Sequence, residues 1–446
     1  MIQLIEVSYF LILLTAILRC LYFWQLKEYR WDRFKDFLTT SSRLQFFLPT
    51  KHFFRPKLTL KIILLGYLSV YFSILIIRFF PNQLLGPVFA FFLAPITVSL
   101  SVLLIKPITD LLIDLLIFLA KLKIKLMPKS QIVIGITGSY GKTSTKEILS
   151  HVLRAKFKVC QTLGTNNTAI GVALTILKQL KSSHQYFVVE MGAYKKGEIK
   201  AICQIVKPKI AIITGITDQH LSLFGSQENL IQAKSELLLA LPAKSLAFFN
   251  GQNPITQKLA QNFSHLNTIL YYYPKNKFTT NLLGDYQQLN FQAAYLVAQK
   301  LKLSPKLIRA RFTNIPAFKT MLVKKIGPNK STVIDDSYNA NPEGFKAAIN
   351  YVKILNYPKK ILITSGMIEL GSASEKHHHE IGSLAQSVFT QIYLTKPDIA
   401  KFFPQAQVEP DPGKIIKKLT LNFQTLILLE GRLPNKFILS LCPNQS

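Results

Sequence analysis

Acidic residues are scarce in this 446-residue chain: 23 Asp and Glu stand against 54 Lys and Arg, for a formal net charge of +31. Charged residues make up only 17% and hydrophobic ones 49%, the direction in which a membrane-embedded portion moves the average. Cysteine is also sparse. Cys20, Cys160, Cys203 and Cys442 lie far apart with no C-x-x-C pair, which excludes a disulfide framework or a cysteine zinc site and leaves free thiols. No nucleic-acid recognition motif accompanies the scattered basic residues, so the charge points to anionic lipid or acidic small molecules, not to nucleic acid. The length allows two or three domains.

What the chain has in quantity is apolar runs, at 4–24, 59–79 and 84–105, each near the ~20 residues that a helix needs to cross hydrocarbon. Arg19, near the end of the first, can snorkel to the headgroups. With no basic region ahead of it and no small-residue cleavage site, this run is not read as a signal peptide. Between the first two runs lie Lys27, Arg30, Arg33, Lys35, Arg43, Lys51, Arg55 and Lys57; between the second and third there is little besides Arg78. The positive-inside rule then places the 25–58 loop and everything after Lys106 in the cytoplasm, giving a multi-pass protein of the inner membrane. A fourth run, "PITDLLIDLLIFLAKLKIKL", has Asp110 and Asp114 one helical turn apart and reads as an interfacial amphipathic helix. The competing reading of all four runs is a large buried helical core.

The chemistry begins at "QIVIGITGSYGKTSTKE". A β-branched run (131–137) leads through a glycine-rich turn into helical apolar spacing, an arrangement that aims backbone N–H groups and a helix N-terminus at an anion. Gly138, Ser139, Gly141 and Ser144 would line that turn, Lys142 would reach terminal phosphates, and Thr143 would offer its hydroxyl to Mg²⁺. The strict P-loop pattern wants glycine at 136, where this chain has Ile136. "YFVVEMGA" reads as a strand ending in Glu190, where a metal-binding acid belongs. His220 and Lys234 taken alone would be an ordinary histidine and a solvated lysine. Further on, strands (331–336, 360–365, 391–395, 424–429) alternate with helices (342–355, 374–388, 413–420), which is a doubly wound α/β pattern.

Taken in order, "GITGSYGKTSTKE", "GTNNTAIGVALTIL", "VVEMGAYKKGEI", "DQHLSLFGSQENLIQAKSEL", "VIDDSYNANPEGFKAAI" and "GMIELGSASEKHHHEIG" resemble the Mur ligase family, and its MurF branch in particular. The resemblance runs from about residue 130 to 440. It implies an α/β P-loop central domain (126–312) and a Rossmann-like C-terminal domain (313–446), preceded by an all-α transmembrane region (1–125) in place of the domain that grips the UDP end of the precursor. It implies an ATP-dependent amide ligase of peptidoglycan precursor synthesis, adding D-alanyl-D-alanine to a muramoyl-tripeptide through an acyl phosphate. By the same resemblance Thr143, Glu190, His220 and Lys234 would hold two Mg²⁺ ions, with Lys234 carrying a carbamate made from CO₂. Lys142, Lys234 and His220 would be catalytic.

In "GDYQQLN", Asn290 matches one of the family's base-holding asparagines, Gln287 replaces the other, and Tyr286 replaces a histidine. Asp336 would take the ribose side of ATP; Tyr338, Asn339 and Asn341 would lie near the dipeptide, and Asn166 and Asn167 near the peptide substrate. Lys319 is a possible stand-in for a family arginine, Glu430 stands where lysine is frequent, and "HHH" (377–379) reads as a solvated helix face. The linker near 305–320, containing Pro316, is the expected hinge. Two other readings stay open: a ligase or amidating enzyme acting on a lipid-linked muropeptide, and a membrane P-loop NTPase coupled to transport.

Overall fold

The computed structural model describes residues 2–38, 43–47, 54–80, 85–217, 221–316, 318, 322–337, 340–367, 370 and 373–442. The chain divides into two compact units, Met1–Leu115 and Leu116–Ser446.

The first unit is helical. Helices Ile2–Leu26, Leu60–Phe79 and Leu85–Lys125 are each long and apolar enough to cross a membrane. Their interior holds small and polar groups: Ser69 and Ser101 are fully buried and share a hydrogen bond (3.1 Å), and Trp24 donates to Ser99 Oγ (3.1 Å) while stacking on Phe34 at 3.8 Å. Outward, Ile63, Leu64, Tyr67, Phe92, Ile96 and Leu104 are more than half exposed or close to it. Apolar outside with polar glue inside is the packing that suits lipid. The fourth apolar run is not a separate helix. It continues the third span unbroken through Pro95 and Pro107, because the span's other turns keep the helix intact around the carbonyls those prolines leave unpaired. At the far end of this helix, in the second unit, Ala120 is buried and Lys123 Nζ donates to the Leu177 carbonyl (2.9 Å).

The second unit holds two six-stranded sheets. In the first, β1 (Ile132–Thr137), β2 (Val159–Gln161), β3 (Tyr186–Glu190), β4 (Ile210–Ile213), β5 (Leu246–Asn250) and β6 (Asn267–Tyr271) run parallel in the order β2-β3-β1-β4-β5-β6. Its inner strands are near-continuous apolar runs, as burial on both faces demands. The second sheet contains β7 (Val323–Ile326), β8 (Thr332–Asp336), β9 (Lys359–Thr364), β10 (Gln391–Leu394), β11 (Gln407–Val408) and β12 (Thr425–Glu430), in the order β11-β10-β9-β12-β8-β7. Only β7 in it is antiparallel. Most of the expected hinge is helix Pro305–Thr313, anchored by fully buried Ile308 and Phe312 in the core of the first sheet.

Candidate active site

The site gathers at the C-terminal ends of β1, β3 and β4, where strand order reverses around β1 and leaves a crevice. Ile136 is fully buried inside β1, paired with Glu190 on β3 and Ile212 on β4. The turn starts later than the strict pattern supposes, so glycine is needed at 138 and 141, where φ is +151° and +75°. A Cβ on Gly138 would collide with Thr214 Oγ1, and one on Gly141 would lie 2.8 Å from Asn290 Oδ1.

Lys142 opens the helix Lys142–Leu153, and its Nζ donates to the carbonyls of Gly138 (2.8 Å) and Ser139 (2.9 Å), folding it over the turn. Burial lowers its pKa, and the charge of Glu190 acts the other way. Thr143 and Ser144 follow on the first turn, half-buried. Ser139 is tied down: its N–H donates to Gly215 O (2.6 Å), and its hydroxyl both accepts from Thr217 N–H (3.1 Å) and donates to Thr217 O (3.2 Å).

Glu190 is 1% exposed and accepts from Lys146 Nζ (3.2 Å) and Asn167 Nδ2 (3.1 Å). Lys146 has no exposed surface; it also faces Glu147 (3.3 Å) and donates to the Gly164 carbonyl. Its type and position alone do not mark this lysine as a site residue; the signal in the sequence is its place one turn beyond Lys142 and three residues before buried Leu149, on the inner face of the helix. Lys234, expected on its own pattern to be solvated, is 2% exposed on the helix Gln227–Leu239. No carboxylate lies within ion-pair distance of it among the described residues. Burial, then the neighbouring charge of Lys142, lowers its pKa to about 7. Lys142, Glu190 and Lys234 therefore converge on the turn, while His220, Tyr338, Asn339 and Lys319 lie outside the described residues.

The expected base-holding amides are braced against the turn. Asn290 donates to Gln287 Oε1 (2.9 Å) and accepts from Thr145 Oγ1 (3.2 Å). Across the second unit, the loop residue Tyr140 feels the charge of Glu343, and Tyr286 that of Asp336, so the two sheets' C-terminal ends share a cleft. Asp336, at the end of β8, is paired in register with Glu430 at the end of β12. Asn166 is exposed. Asn341 caps the helix Pro342–Ile354, its Oδ1 accepting from Gly344 N–H (2.9 Å). The histidine run is not a solvated face: His377 and His378 are buried and only His379 is exposed. His378 Nε2 accepts from Met367 N–H (3.1 Å), pinning the loop after β9 to the helix Ser374–Gln386.

Among the described residues no three His, Cys, Asp or Glu side chains converge as a ready metal cluster. The donors beside the turn, the Glu190 carboxylate and the Thr143 hydroxyl, are hard oxygens of the kind that Mg²⁺ takes. Lys234 as a bare ammonium would oppose a cation, whereas a buried lysine inclined to be neutral can become an oxygen donor.

The Mur ligase middle domain model matches residues 136–293, and the Mur ligase glutamate ligase domain model matches 321–430. The UDP-N-acetylmuramoyl-tripeptide–D-alanyl-D-alanine ligase of Bacillus subtilis is 30% identical over 56% of this chain and 60% of its own length. That of Rickettsia prowazekii is 30% identical over 66% of this chain and 71% of its own. Among solved structures, MurF of Thermotoga maritima in complex with ADP aligns with TM-score 0.63 and 26% identity, covering 72% of this chain and 80% of that one. MurF of Acinetobacter baumannii shares the fold with TM-score 0.65 and 24% identity, over 72% and 79%. With both domain models and a relative matched over most of its length, this chain belongs to the Mur ligase family.

Proposed function

We propose that the protein is an ATP-dependent ligase that joins D-alanyl-D-alanine to the carboxyl end of a muramoyl-tripeptide. The observation that carries this reading is the convergence of Lys142, Glu190 and buried Lys234 on a glycine turn braced by Asn290, in a chain whose relatives bear that ligase's name. The glycine turn and helix N-terminus cradle the phosphates, and Lys142 swings from the Gly138 and Ser139 carbonyls to the terminal phosphate oxygens. Thr143, Glu190, His220 and a carbamate on Lys234 would hold two Mg²⁺ ions. When bound, these neutralise the charge spreading over the transferred phosphoryl group. The carbamate forms as the neutral Lys234 amine adds to CO₂: a C–N bond is made and a proton passes to solvent.

The peptide carboxylate attacks the γ-phosphorus and ADP leaves. The dipeptide amine then adds to the acyl phosphate carbonyl, and the tetrahedral intermediate collapses with loss of inorganic phosphate. Asn166 and Asn167 orient the peptide, with Tyr338, Asn339 and Asn341 near the dipeptide. Asn341 does so from the start of a helix it already caps. Closing the cleft between the sheets keeps water from the acyl phosphate.

The apolar exterior of the first unit supports placement in the inner membrane, with the ligase part in the cytoplasm. It also favours a second reading, in which the muropeptide acceptor is lipid-linked. Incubating the full chain with ATP, labelled D-Ala-D-Ala and either a UDP-linked or a lipid-linked tripeptide separates the two. Product from neither precursor, with ATP hydrolysed all the same, would overturn the ligase reading.

A further inference from the structure

Glu430 is the least expected side chain of the cleft. It has no exposed surface, and among the described residues no N–H or hydroxyl donates to either carboxylate oxygen, which leaves the carboxyl of Asp336 as the group it faces. Its register partner across β12 and β8 is Asp336, itself partly open to the cleft. Among the described residues no lysine or arginine neutralises the two: Lys325 is held by Asp335 at 2.7 Å. The other groups facing the pair are Tyr286, contributed by the sequence just before the Gln287–Asn290 amides, and Asp335. A further polar group lies alongside: the Ser365 hydroxyl is buried and has no partner among the described residues, and a Cβ on Gly431 would stand 2.6 Å from it.

Two adjacent carboxyls, one fully buried and one half-buried, with no cation pairing either among the described residues, do not both ionise freely, so they retain a proton between them. Burial pushes Asp336 up to about 7 and Glu430 well above the usual carboxylate range. Such a pair presents an O–H donor and anionic acceptors side by side, which complements two neighbouring hydroxyls. Its place beside Tyr286, next to the amides braced against the phosphate turn, puts it on the nucleoside side of the cleft. We propose that Glu430 and Asp336 work as one proton-sharing carboxyl pair that recognises the vicinal hydroxyls of the bound nucleotide's ribose, with Glu430 as the positioning residue behind Asp336. This rests on the reading of Asp336 as a nucleotide-site residue.

The test is calorimetric binding of ADP and of 2′-deoxy-ADP to the full chain in detergent, on either side of the titration of Asp336, at about pH 6 and about pH 8. Taking the ratio of the two affinities cancels the ionisation of the phosphates. The acceptor on Asp336 becomes anionic as pH rises, so the preference for ADP is expected to be about tenfold at the higher pH and to shrink several-fold at the lower. Glu430→Lys, which makes an ion pair and fixes Asp336 as carboxylate, is expected to hold the ratio constant across that range. Glu430→Gln, which keeps the shape, is expected to flatten it by moving the step to lower pH. Measurable ADP binding by each variant shows that the pocket is folded. A ratio near one at both pH values, or the same pH step in wild type and both variants, would overturn the proposal while leaving the nucleotide site standing. Loss of all ADP binding by wild type would instead overturn the nucleotide reading. Mg²⁺ binding without nucleotide that Glu430→Gln abolishes would make the pair a cation site, and would likewise overturn it.

Discussion

Lys146 and Glu190 form a fully enclosed ion pair, and removing one partner is a sharp test of how the site is held. Lys146 has no exposed surface and Glu190 only 1%; their charged atoms lie 3.2 Å apart. In Lys146→Met the carboxylate of Glu190 would keep, among the described residues, the amide of Asn167 at 3.1 Å and the more distant charge of Lys142, with no ion-pair partner in contact. Glu147 is better placed to survive the loss, since it also accepts from Gln161 Nε2 at 2.8 Å. Breaking a buried pair from one side costs about 3–5 kcal/mol because a lone charge is left behind. At roughly 2–4 °C per kcal/mol for a domain of this size, the melting midpoint should fall by roughly 6–20 °C. The double variant Lys146→Met/Glu190→Gln leaves no orphan charge and should recover most of that loss. The assay is thermal unfolding of the nucleotide-free protein followed by circular dichroism. A single variant within about 1 kcal/mol of wild type, or a double variant less stable than the single, would refute the reasoning.

Lys234→Ala should reduce amide formation by at least about a hundredfold while leaving the thermal midpoint unchanged or higher, since it removes a buried amine that has no carboxylate within ion-pair distance among the described residues. Isotope-labelled bicarbonate should give a carbamate signal by NMR in wild type that this variant lacks. Gly138→Ala should abolish ADP binding by calorimetry, because the new methyl collides with Thr214 and φ stays at +151°. His378→Ala should cost about 1–3 kcal/mol in chemical denaturation, as the buried Met367 N–H loses its acceptor. Glu430→Gln should stabilise the protein at alkaline pH and do so less in acid. The folded pair holds protons that the unfolded chain releases above the ordinary carboxylate range, so wild-type stability falls as pH climbs toward 7 and beyond.

Much of this architecture was legible in the residues. The turn from β1 into its helix, the strand ending at Glu190 and the alternating elements of the second sheet follow from apolar periodicity and glycine placement. Other features escaped because local pattern does not carry them. Pro107 looked like the start of a new helix, but an uninterrupted apolar run kept the helix whole. Three consecutive histidines looked like a wet surface, yet a helix turns about 100° per residue, so His377 and His378 can face the core while His379 faces solvent. The burial of Lys146 and the pairing of Asp336 with Glu430 arise between distant segments. Only the sheet order brings residue 430 beside residue 336.

The four cysteines acquire a use from where they are stowed. Cys20 lies in the interior of the helical unit, Cys160 on β2 and Cys203 on a helix packed in the same core of the first sheet, and Cys442 in a core of the second. Burial pushes the thiols of Cys160 and Cys442 up to about 11 and that of Cys203 to about 12, so none of these three offers a reactive thiolate while its surroundings stay shut. A thiol-modifying reagent would therefore mark each region only when that region breathes. The protein carries its own set of internal clocks, one or two per structural part, for timing which part opens first.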